Sequence, residues 1–204
     1  MKLLGVSGSL RAASFNTALL RAAQECAPEG VTIEIFGLHD LPLFNQDVED
    51  QGDPAPVTAW KDAIRGADAL VLACPEYNGG VTGVLKNAID WASRGSPSAL
   101  SGKTACILGA SPGVTGTVRA QDALRQSLRK VSAEYWPLSE MLVGQAHAKI
   151  ENGQVVGKGD MAAQTTKALD NLITVLEAAG GSLDGLIRVG IFFREDADIG
   201  AGFG

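Results

Sequence analysis

Five short apolar runs alternate with helical patterns along this chain, and that alternation leaves few folds open. MKLLGVS (1–7), VTIEIF (31–36), ADALVLACP (67–75), KTACILGAS (103–111) and EYWPLSEMLVG (134–144) read as strands. Between and after them, apolar residues recur at intervals of three and four. Phe15, Ala18, Leu19, Ala22 and Cys26 mark one helix starting near Ser14, and Val57, Trp60 and Ile64 a short second one. Val84, Leu85, Ala88, Ile89 and Trp91 mark a third, and Ala120, Leu124, Leu128 and Val131 a fourth. Met161 to Leu176 carries a fifth. Strands that alternate with helices in this way are joined by right-handed crossovers into a parallel sheet covered on both faces.

At 204 residues the chain suits one α/β domain, expected over residues 1–179, with an extension of unassigned structure at 180–204. Five strands favour a flavodoxin-like three-layer sandwich over the six-stranded dinucleotide fold. In either, ligands bind at the carboxyl edge of the sheet where the strand order reverses. Three polar turns leave strands there: GSLRAASFN (8–16), PEYNGGVTG (75–83) and SPGVTG (111–116). A fourth connection, GLHDLPLFNQDVEDQGDPAP (37–56), is rich in Asp, Pro and Gly and reads as a long surface loop bordering the site.

Charge and cysteine content narrow the partners. A net charge of −6 without a basic block gives no general grip on nucleic acid or anionic membrane, so a small molecule is the expected ligand. The three cysteines, Cys26, Cys74 and Cys106, lie far apart in or beside apolar runs, with no zinc-type spacing. They read as free thiols of a reducing, cytoplasmic compartment, and no run of about 18 apolar residues indicates a membrane span. His39 and His147 stand apart with no triad partners, and Trp60, Trp91 and Trp136 sit in apolar patterns that indicate packing.

The first turn carries the chemistry. A helix N-terminus offers unpaired N–H groups and the positive end of its dipole; Ser9, Ser14 and Asn16 add neutral donors and Arg11 a cationic fork suited to phosphate oxygens. The plain alternative is a Ser-capped helix with a surface arginine. No GxxxxGK[ST] is present, GVSGS lacks the GxGxxG spacing, and no cysteine opens the loop as a phosphatase nucleophile. A terminal phosphate monoester, held and not attacked, fits what remains.

GSLRAASFN, PEYNGGVTGVLKNAIDWASR (75–94) and ASPGVTGTVRAQDALRQSL (110–128) together resemble the NADPH-dependent FMN reductases, a family that includes quinone, azo-dye and chromate reductases. The resemblance covers about residues 1–150. It implies FMN as cofactor, with Ser9, Arg11, Ser14, Asn16 and the backbone of Leu10, Ala12, Ala13 and Phe15 around its phosphate. It also implies that Pro75, Glu76, Tyr77 and Asn78 line the ribityl chain and ring, and that Ser111 closes the third side. NADPH or NADH would then reduce the flavin, which passes electrons to a quinone or similar small acceptor; no acid–base residue is required. A homodimer or homotetramer is implied as well. Val114 stands where the family has a small residue, and the extension at 180–204 is not expected of it. The second reading is a flavodoxin-type carrier or flavin sensor, which binds FMN without accepting hydride quickly. Moderate acidity and a single aromatic in the second turn favour the reductase.

Overall fold

In the computed structural model, which describes residues 1–131, 133–151, 154 and 155, the five expected strands, β1 (Lys2–Ser7), β2 (Thr32–Phe36), β3 (Ala69–Ala73), β6 (Thr104–Ala110) and β7 (Glu134–Val143), pair all parallel in the order β2-β1-β3-β6-β7. Two further short strands, β4 (Glu76–Tyr77) and β5 (Gly80–Val81), form a separate antiparallel hairpin within the second turn. From β1 the chain first moves outward to β2, then crosses to the other side for β3, β6 and β7. The order therefore reverses between β1 and β3, and the turns leaving those two strands lie side by side.

Side chains alternate across the sheet as a strand period of two requires. Leu4, Val6, Leu70, Leu72, Ala105 and Ile107 face one way, into the largest cluster of buried residues. There they meet Trp60 and Ile64 of α3 (Ala55–Arg65), Leu85, Ala88 and Trp91 of α4 (Gly83–Ala92), and Leu124 and Leu128 of α5 (Val118–Lys130). Val71, Ala73 and Leu108 face the other way, against Leu20 of α1 (Phe15–Glu25). Helices on both faces make the three-layer arrangement. Both core tryptophans satisfy their indole N–H: Trp60 Nε1 donates to Ala88 O and Trp91 Nε1 to Pro42 O, each at 2.8 Å.

Local signals explain the helix starts. Ser14 accepts from the Thr17 N–H and opens α1; Thr82 accepts from the Leu85 N–H and opens α4; proline occupies the first turn of α3. At the edge strand β7 the ladder loses step, Ala105 pairing with Tyr135 but Ile107 with Glu140, around Pro137, which has no N–H to donate. The long connection after β2 holds one element that periodicity did not show, α2 (Gln46–Glu49), started by Asn45 accepting from the Asp47 N–H. The helix expected over Met161 to Leu176, the side chain of Trp136, and the extension at 180–204 lie outside the described residues.

Candidate cofactor site

The turns after β1, β3 and β6 enclose an open cleft of about 200 Å³, lined by Ser9, Arg11, Ser14, Phe15, Asn16, Pro75, Glu76, Tyr77, Ala110, Ser111 and Pro112. Nine of the residues singled out from the sequence are thus brought together. Leu10, Ala12 and Ala13 are exposed and are not among the residues lining the cleft. Ala110 and Pro112 were missed because an alanine and a proline at a strand end carry no chemical signal.

The first turn gathers hydrogen-bond donors at one end of the cleft. Ser9 and Ser14 are buried, Arg11 is exposed with Nη2 donating to Ala13 O at 3.2 Å, and α1 begins at the cleft. The N–H groups of Leu10, Ala12, Ala13, Phe15 and Asn16 find no acceptor among the described residues. An array of free N–H groups, two hydroxyls and a guanidinium is the donor set a phosphate monoester needs.

Cross-braces hold the turns in register. Thr82 Oγ1, besides capping α4, donates to Gly8 O at 2.7 Å. A Cβ on Gly8 would come within 3.0 Å of Thr82, Pro75 and Leu85, so only glycine allows the first turn to lie this close to the second. Asn16 joins the first turn to the third: its Nδ2 donates to Ala110 O and its Oδ1 accepts from the Ala110 N–H, both at 2.9 Å. Its carboxamide therefore braces the loop while the residue still lines the cleft.

In the second turn Pro75 is buried and Tyr77 lies at the mouth with half its surface exposed. Asn78 lies outside the cleft lining. With φ of 52° at Asn78 and 75° at Gly79, the pair forms the tight turn of the hairpin, in which Tyr77 pairs with Gly80. The Asn-Gly dipeptide announces such a turn, and that signal was available in the sequence. Glu76 reaches away from the strand to the start of α5, where its Oε2 accepts from the Arg119 and Ala120 N–H groups at 3.0 and 3.2 Å.

The third turn is tied to the segment after β7, Ser111 N–H donating to Val143 O and Gln145 N–H to Gly113 O. The Val114 side chain points outward, 71% exposed, and contributes nothing to the cleft wall. The long loop borders the site as expected, with His39 Nε2 3.2 Å from Leu10 O. Cys74 is fully buried; burial and then the Glu76 charge push its thiol up to about 12, which disfavours a thiolate at neutral pH. Among the described residues no helix is long and apolar enough to cross a membrane.

Known proteins agree with this geometry. Residues 1–148 match the family model described as NADPH-dependent FMN reductase. An NAD(P)H-dependent FMN reductase of Pseudomonas aeruginosa is 52% identical over 63% of this chain and 69% of its own length. A quinone reductase of Escherichia coli is 36% identical over 88% of this chain and 94% of its own. Among solved structures, FerB, a flavoenzyme NAD(P)H:(acceptor) oxidoreductase from Paracoccus denitrificans, superposes with a TM-score of 0.70 at 32% identity, covering 85% of this chain and 93% of that one. On the strength of sheet order, turn chemistry and these matches, the chain belongs to the NADPH-dependent FMN reductase family.

Proposed function

We propose that this protein binds FMN by its phosphate in the cleft, takes electrons from NADPH or NADH, and delivers them to a quinone or similar small acceptor. The observation that carries the reading is the donor set at the start of α1, placed where the sheet order reverses. Arg11 neutralises the phosphate, Ser9 and Ser14 offer hydroxyls, and the free N–H groups from Leu10 to Asn16 complete the cradle. Pro75 and Tyr77 supply the apolar and aromatic wall along which the rest of the cofactor lies. When bound, FMN supplies the redox chemistry, and the protein supplies position and electrostatics.

The wall also favours a reductase over a carrier. The cleft is smaller than the roughly 300–1,000 Å³ of a site that engulfs its ligand, so much of a bound cofactor stays accessible. Tyr77 is the only aromatic side chain from the second turn, which leaves room for a nicotinamide and an acceptor to approach in alternation. Assembly as a homodimer or homotetramer in the cytoplasm accompanies this reading.

The deciding experiment is anaerobic. Protein saturated with FMN is mixed with NADPH, and in a parallel run with NADH, while the visible flavin absorbance is followed. Rapid bleaching that reverses when a quinone is added is the expected result. Bound flavin that neither nucleotide bleaches would turn the reading to a carrier or sensor, and failure to bind FMN would end it.

A further inference from the structure

Among the described residues Glu76 is the only acidic one lining the cleft, yet its geometry is not that of a ligand. The side chain is only 11% exposed, and its Oε1 lies 3.5 Å from Arg119 Nη1 while Oε2 holds the Arg119 and Ala120 N–H groups. Those are the second and third N–H groups of α5. That helix lacks a cap of its own, because Thr117, the residue at its start, makes no side-chain cap bond. Its hydroxyl is buried against Gly109 and accepts from Gln121 Nε2 at 3.1 Å. The carboxylate that replaces it comes from 43 residues upstream, in the turn that carries Tyr77.

We propose that Glu76 is a positioning residue: by capping α5 from the neighbouring turn it fixes the β4–β5 hairpin, and so Tyr77, at the mouth of the cleft, without touching the cofactor. The hairpin has two residues per strand, far too few to hold itself in water. Both strands pack on α5, and Glu76 is the polar link between them and the helix. A carboxylate at this helix end also meets the positive pole of the dipole, so the link strengthens as the charge is kept. The proposal rests on FMN being the cofactor of the cleft.

The test separates the two claims. Amide hydrogen exchange is measured on the flavin-free protein, and FMN affinity and the visible circular dichroism of bound FMN on the loaded one. Glu76→Ala is expected to accelerate exchange at Arg119, Ala120 and the hairpin, and to weaken FMN binding, each by about 3- to 30-fold, the loss that matches removal of a helix cap. It should also alter the dichroism, which senses the surroundings of the ring. Glu76→Gln, which keeps an acceptor oxygen, should restore part of each effect and guards against a variant that does not fold. Arg119→Ala should change exchange and affinity by less than about threefold, since an exposed ion pair contributes little.

Weaker FMN binding with unchanged exchange in the flavin-free protein would make Glu76 a direct ligand and overturn the proposal. Faster exchange with unchanged affinity and dichroism would confine Glu76 to stability and overturn it as well, and a dominant Arg119→Ala effect would transfer the link to the ion pair. Wild-type protein that takes up no FMN would instead overturn the reductase reading, while the exchange data would still show whether Glu76 caps α5.

Discussion

At the scale of single residues, the cleft divides its polar groups into those that face a ligand and those that hold the walls. Arg11 belongs to the first kind: it is exposed and, among the described residues, tethered only to Ala13 O, so its fork can turn to an anion. Arg11→Ala is expected to weaken FMN binding by about 1.5–3 kcal/mol, the range for hydrogen bonds to a charged partner, read by calorimetric titration. Asn16 and Glu76 belong to the second kind. Turn composition announces a polar cluster but cannot say which member faces inward, because Ala110 and α5 are brought to these side chains by the sheet and not by the chain order. Cys74 gives a test at this scale that needs no cofactor. Its thiol rises from 9.0 to about 12 on folding, mainly through burial and then through the Glu76 charge, with Arg125 opposing. Between those values the unfolded chain releases a proton that the native state keeps, so this thiol lowers stability as pH rises through that window. Urea unfolding from pH 8 to 11 should therefore show a smaller decline for Cys74→Ala than for the parent; equal declines would refute the shift.

At the scale of elements, the strands were legible because buried parallel strands are nearly continuous in apolar residues, as ADALVLACP is, and the helices because Ser14, Pro54 to Pro56 and Thr82 mark their starts. The long connection at 37–56 was legible only as a loop. What orders it is remote in sequence: Asn87 Nδ2 donates to Pro42 O and its Oδ1 accepts from the Phe44 N–H, both at 2.8 Å. Nearby, Arg94 Nε meets both carboxylate oxygens of Glu49 at 2.9 and 2.8 Å, with its guanidinium 5.4 Å from the centre of the Phe44 ring. Helix α4 thus serves as a spine for the loop whose His39 reaches the phosphate turn. Asn87→Ala removes both of its bonds and is expected to cost about 1–3 kcal/mol. Protease cleavage should appear first between residues 37 and 54, with the α4 core still folded. Cleavage unchanged in rate and place would show that Trp91 and Arg94 suffice.

At the scale of the whole molecule, the question is how much of the chain the site needs. Every described side chain lining the cleft lies between Ser9 and Pro112, and the braces described above draw on Gly8, Asn16, Thr82, Ala110 and the start of α5. The third turn adds a tie to Val143 and Gln145, still within the 1–148 span that matches the family. The extension at 180–204 lies outside the described residues and beyond the 1–148 span; read as an appendage, it predicts that a chain ending at residue 180 binds FMN within about 0.5 kcal/mol of the full protein, the usual scatter for changes away from a site. The same sample, weighed in solution by light scattering, reads the second property an added segment could govern. Unchanged affinity with a reduced assembly mass would assign the extension to contacts between subunits. Unchanged affinity and mass would make it an appendage to an otherwise ordinary reductase fold, whereas loss of flavin would bring it into the site and require that the cleft be described with a fourth side.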